Sequence, residues 1–188
     1  MSVKAYKNAL KPWAKRIMGT KLLDEEMLKI DAPYTELLLH TVPCFGQVGA
    51  LAGALVGGAG KLLGRSFFHR SSVWGLCLGL AAGPPLTYLR LNSAGVFENA
   101  ETRFEGLYDR CYRLRHNEKA LTLNRGGFAG CVFFGGLVLL LNPALGVLPA
   151  FALGTNMGTV SAVGYLVAAA KSEQLEEESR NAQKPSGG

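Results

Sequence analysis

The chain has 188 residues, about the size of one ordinary domain, with 48% hydrophobic residues, only 18% charged ones and 24 glycines. That balance excludes a disordered chain and is apolar for a soluble domain. The net charge of +6 arises from 20 Lys/Arg mixed with 14 Asp/Glu outside the apolar blocks, which argues against a nucleic-acid surface.

Residues 1–40 form a basic N-terminal segment. Up to residue 23 it has no acid but carries Lys4, Lys7, Lys11, Lys15, Arg16 and Lys21, while Val3, Tyr6, Leu10, Trp13 and Ile17 recur at helical spacing. One apolar stripe against a basic face resembles a mitochondrial targeting segment, or a helix lying on an anionic membrane surface. Pro12 predicts a short helix restarting there, and the segment is expected to be retained. Asp31, Glu36 and His40 follow, at spacings that match no metal motif.

Lys, Arg, Asp and Glu are then absent from Thr41 to Gly60, from Ser71 to Leu89 and from Gly126 to Ala170. A bilayer core of about 30 Å needs roughly 20 mostly apolar helical residues, and the third gap is long enough for two crossings. Asn142-Pro143 and Pro149 mark a turn inside it. The prediction is therefore all-α: four glycine-rich transmembrane helices over about 45–63, 71–91, 126–142 and 148–170, within a transmembrane domain of 41–170.

The first span contains GALAGALVGGAG, residues 49–60. In lipid, helices do not associate by hiding apolar surface from water, so small residues at i and i+4 matter because they let backbones approach. Gly49, Gly53 and Gly57 have that spacing, as do Gly75, Gly79 and Gly83 in the second span. Gly126 and Gly130 follow in the third, with Cys131 and Gly135 alongside, then Ala150, Gly154, Gly158 and Ala162 in the fourth. These glycines are read as helix-packing surfaces. The GGAGK at 57–61 is no P-loop, because Leu55 and Leu62 occupy its required Gly and Ser/Thr positions.

Pro84-Pro85 predicts a kink in the second span. Between the second and third spans, Phe97, Ala100, Phe104, Leu107, Cys111 and Leu114 make an apolar stripe, which predicts an amphipathic helix over 97–117. Its other face carries Glu98, Glu101, Glu105, Asp109 and Arg113, with Asp109–Arg113 spaced as an i,i+4 pair. Residues 171–188 form a polar tail that continues the last helix before a disordered PSGG.

Apart from Lys61 and Arg90, each near an end, the predicted spans contain no ionisable Asp, Glu, Lys, Arg or His, and Asn156 is read as the one strongly polar side chain deep in a span. Ionisable groups at membrane depth are what pumps and ion carriers use. Cys44, Cys77, Cys111 and Cys131 show no CxxC spacing and read as small buried thiols. No catalytic, metal-binding or cofactor-binding residue is assigned, and the chain is read as a non-enzyme.

The four glycine-striped spans and RLRHNEKALTLNRGGFAG at 113–130 resemble the mitochondrial inner-membrane preprotein translocase channel superfamily, the preprotein-and-amino-acid transporters. Arg113, Arg115, Asn117, Asn124 and Gly130 carry the likeness, over roughly residues 43–170. The resemblance implies four helices, with both termini and the central loop in the intermembrane space. The short basic loop with Lys61, Arg65 and Arg70 leans toward the matrix accordingly. The superfamily divides into protein-conducting translocase subunits and a non-conducting accessory subunit of respiratory complex I. Channel members line a cavity with polar or charged side chains, and few are legible in this sequence. The accessory, scaffold role is therefore expected, with membrane subunits of a respiratory complex and phospholipids such as cardiolipin as partners. A translocase subunit is the alternative, and an organellar solute channel of the same superfamily comes third.

Overall fold

A computed structural model describes residues 3–64 and 68–183. Arg65, named above for the basic loop, and the PSGG of the tail lie outside the described residues. The described chain is all-helical: α1 (Val3–Ile17), α2 (Asp24–Leu28), α3 (Pro33–Leu62), α4 (Phe68–Ser93), α5 (Arg103–His116), α6 (Glu118–Leu141), a 3-10 turn (Pro143–Leu145) and α7 (Val147–Gln183). Among the described residues, three helices, α3, α6 and Val147–Glu177 of α7, are long and apolar enough to cross a membrane.

The architecture is two antiparallel helical hairpins, α3 with α4 and α6 with α7, laid side by side. Glycine decides how close each pair comes. A Cβ on Gly49 would overlap the Gly75 carbonyl, one on Gly53 the Ser71 carbonyl, and one on Gly79 the Phe45 carbonyl. In the second hairpin, Gly130 lies against Gly154 and Gly158, Gly126 against Gly158 and Ala162, and Gly135 against Ala150 and Phe151. Backbones packed this tightly gain dispersion contacts along their length. The chain turns out of α3 at Gly64 and into α7 at Gly146, whose positive φ values of 78° and 84° suit glycine alone among common residues.

The large apolar side chains point outward. Leu55, Trp74, Leu78, Phe133, Leu140 and Tyr165 are all exposed. At the end of the bundle that holds the start of α3, the helices α1, α2 and α5 cover it. There α5 packs on α3 and α4 through Leu37, Leu91, Val96 and Leu107, with Tyr34 and Phe97 alongside.

Several boundaries differ from the sequence expectation. The first long helix begins at Pro33 rather than near 45, because Pro33 in the first turn and Glu36 behind it are a helix start. The third begins at Glu118 rather than 126, its amide Ala120 N–H capped by the Asn117 side chain at 3.0 Å. And α1 runs unbroken through Pro12, with no restart. A proline inside a helix costs about 3 kcal/mol, offset here by the buried Ala9 and Arg16 and by packing on α3 and α6.

Helix α4 is likewise continuous across Pro84 and Pro85, both exposed. Helix α5 starts at Arg103, later than the stripe from Phe97 suggests, since Phe97 turns back to stack on Tyr88.

Candidate functional site: a buried arginine clamp above a polar seam

Arg115 closes the last turn of α5, yet only 1% of its surface is exposed. A guanidinium has five N–H donors in a fixed fork, and here every one has an acceptor. Nε and Nη2 donate to the two Glu36 carboxylate oxygens at 2.5 and 2.6 Å. Nη1 donates to the carbonyls of Glu26 (2.5 Å) and Met27 (2.9 Å), and Nη2 also to that of Lys29 (3.3 Å). Those carbonyls belong to the end of α2, where a short helix leaves its acceptors unsatisfied. One side chain thus ties the ends of α2, α3 and α5.

Burial alone would lower the Arg115 pKa, but the Glu36 carboxylate bonded to it more than reverses this, so it lies above the ordinary arginine value. Beside it, burial pushes the Cys111 thiol well up, away from reactive thiolate.

A second ring of polar contacts binds α1 to the clamp. The buried Arg16 guanidinium donates to the Arg115 carbonyl and pairs with Glu118 at 3.2 Å. The Arg16 carbonyl accepts from Arg125 Nε of α6 at 2.8 Å. Lys15 meets Glu26 at 2.5 Å, which holds that carboxyl below its ordinary value, helped by the Leu23 amide.

Below the clamp a polar seam descends between the hairpins. Asn124 accepts from the Cys44 thiol (3.0 Å) and donates to the His40 carbonyl (3.3 Å), joining α6 to α3. The Thr41 and Thr87 hydroxyls meet at 3.0 Å, joining α3 to α4. Deeper, Asn156 donates to the Ser72 hydroxyl at 2.8 Å, and Ser72 to the Ala50 carbonyl at 3.4 Å, so α7, α4 and α3 share one chain of bonds. A cavity of about 130 Å³ opens beside the seam, lined among others by Gln47, Asn124 and Thr155 and roofed by Trp13 of α1.

The residues singled out by sequence are distributed unequally here. Arg115 is the clamp, Asn124 the upper seam, Asn117 the cap of α6, and Gly130 a contact of the second hairpin. Arg113 is not drawn in: it lies exposed and pairs with Asp109 at 3.0 Å, the i,i+4 contact its spacing suggests. Gly57 lies against Ser71 and Phe68, Gly75 against Gly49 and Gly53, and Gly83 against Val42.

Three readings are corrected. Glu36 and His40 are buried positions of the first long helix, so it does carry ionisable groups in its opening turns. Asn156 is joined by buried Gln47 and Asn124 as strongly polar groups in the long helices. Of the cysteines, Cys111 is buried, Cys44 and Cys131 are intermediate, and Cys77 is exposed on the outer face of α4.

Sequence reasoning missed Glu36, Arg16 and Gln47. For Glu36 a signal existed, in Pro33 followed by an acid in the first helical turn. For Arg16 there was none beyond its place on the edge of an apolar stripe.

A family model described as a protein of unknown function (DUF1757) matches residues 13–165. That span runs from Trp13, which roofs the cavity, to Tyr165 of α7, and so contains the clamp and both hairpins. Comparison with curated proteins gives no match.

Proposed function

The chain belongs to the DUF1757 family, and we propose that it is a four-span, non-catalytic scaffold of the mitochondrial inner membrane, an accessory subunit of respiratory complex I. The fourth span is α4. Its 26 residues reach roughly 39 Å at about 1.5 Å per residue, and it returns alongside α3 through glycine contacts. Its polar Ser72 and Thr87 are buried in the bundle, and its Arg90 sits in the last turn, where a long side chain can reach the interface.

The observation that carries the scaffold reading is where polarity goes. Arg115 with Glu36, Asn124 with the His40 carbonyl and Asn156 with Ser72 bond across helices, which locks the bundle, while large apolar side chains occupy the outside. Such a body offers its neighbours shape and apolar surface. The resemblance carried by Arg113, Arg115, Asn117, Asn124 and Gly130 suggests the host complex, with the termini in the intermembrane space.

Alkaline carbonate extraction tests the membrane part: the protein should stay in the pellet. Depletion tests the host: an NADH-oxidising complex should lose abundance on native gels, while presequence import, measured early at constant membrane potential, stays intact. The cavity beneath Trp13, with Gln47, Asn124 and Thr155 on its wall, favours a second reading as a translocase subunit. Lost import with the respiratory complex fully assembled would establish that reading instead.

A further inference from the structure

On the outer side of the second hairpin, α6 and α7 frame a groove of about 490 Å³. Its floor is the glycine crossing, with Gly126, Gly130 and Gly158 among the lining residues, and Phe133, Phe134 and Tyr165 stand as its walls. The glycines that let the helices close also leave this channel, because no side chain fills it from below. Phe133 and Tyr165 are 75% and 66% exposed, so the walls are free along their outer edges.

From Thr122 to Phe134 the groove follows α6 for roughly 18 Å at about 1.5 Å per residue. One leaflet of a bilayer core is about 15 Å deep. The groove thus has the length of one acyl chain in one leaflet.

Its upper end carries the one charged residue of the lining. Arg125 lines it, at the end of α6 that lies near the bundle's covered end. The Arg125 guanidinium is steadied through Nε by the Arg16 carbonyl at 2.8 Å, and no carboxylate pairs with it among the described residues. The nearby Glu118 is taken by Arg16. A fixed cation without a counter-ion, at the head of an apolar channel one leaflet deep, is complementary to an anionic amphiphile.

We infer that this groove holds one acyl chain of an anionic phospholipid, with the lipid phosphate on Arg125. The inference rests on the membrane-spanning reading.

The test uses the full chain, delipidated in detergent and inserted into nanodiscs containing equal phosphatidylglycerol and phosphatidylcholine. Lipid retained on re-extraction is counted by native mass spectrometry. The wild-type protein should keep phosphatidylglycerol over phosphatidylcholine by about tenfold, the scale of one charge-assisted hydrogen bond. Arg125→Gln should abolish that preference, Arg125→Lys should restore most of it, and Ala129→Trp, which fills the exposed middle of the groove, should reduce retention of both lipids. Inorganic phosphate added alone should not bind, which separates a lipid site from a simple anion site.

Equal retention of the two lipids, or an unchanged preference in Arg125→Gln, overturns the inference while leaving the spanning reading standing. So does a cross-linked dimer or partner that Ala129→Trp disrupts with no change in lipid. If the wild-type chain fails to enter the bilayer at all, both fall together.

Discussion

Removing the Glu36 carboxylate is the sharpest perturbation the clamp allows. In Glu36→Ala, two of the five Arg115 donors lose acceptors that now lie at 2.5 and 2.6 Å, and the guanidinium stays in a site only 1% exposed. Leaving one partner of a buried pair uncompensated costs about 3–5 kcal/mol, a large share of the roughly 5–15 kcal/mol that holds a typical domain together. Arg115→Ala should cost as much, since it strands the carboxylate and three carbonyls of the α2 end. Arg115→Lys should recover part of the charge but not the fork.

The informative variant is Glu36→Leu with Arg115→Met. It removes both charges and keeps the volume, and such replacements of buried pairs are often neutral. Only the α2 carbonyls then remain short of donors, so the double variant should lose less than either single alanine variant. Unfolding followed by circular dichroism in detergent, across the four variants, measures this. A wild-type melting temperature in Glu36→Ala, or strictly additive losses in the double variant, would refute the claim that the pair is a coupled, desolvated unit.

The glycine contacts make opposite predictions at different positions. Gly53→Leu drives a side chain into the Ser71 carbonyl and Ser72 Cα, so assembly should fall on native gels with membrane insertion retained, at a cost of about 1–3 kcal/mol or more; normal assembly would place that face against lipid. Gly136→Ala and Gly164→Ala meet nothing within 4 Å and should be neutral or gain up to about 1 kcal/mol from helix propensity, as read by thermal unfolding. The Glu26 carboxyl, held below its ordinary 4.5 by Lys15, stabilises the α1–α2 contact above that value and loses this contribution as pH falls through its lowered folded value. Trp13 fluorescence in a Trp74→Phe background should report α1 loosening over that acid range, and Glu26→Gln should remove the step.

The legible parts of this molecule were those governed by local rules. Runs without charge located the four long helices, and the i,i+4 glycines named residues that lie against a neighbouring helix, because both depend on residues a few positions apart. The Asp109–Arg113 pair was legible for the same reason. The clamp was not. Arg115 and Glu36 are 79 positions apart, and nothing near either one shows whether it will be solvated or buried. Sequence alone assigns a lone arginine in a charged loop to solvent, because burying it is costly unless all its donors are met. Here the donors are met by atoms that no residue type reveals, the carbonyls at the end of a five-residue helix. Starting the first span near 45 concealed the clamp further. A helix in a membrane protein can begin well outside the apolar core, and in α3 the turns before the core, with Glu36 and His40, are the ones that bind the rest of the fold. Charges at the edge of an apolar run are thus better read as part of the helix that follows than as its boundary, and in this chain that one change places Glu36 and His40 on α3, where they meet Arg115 of α5 and Asn124 of α6.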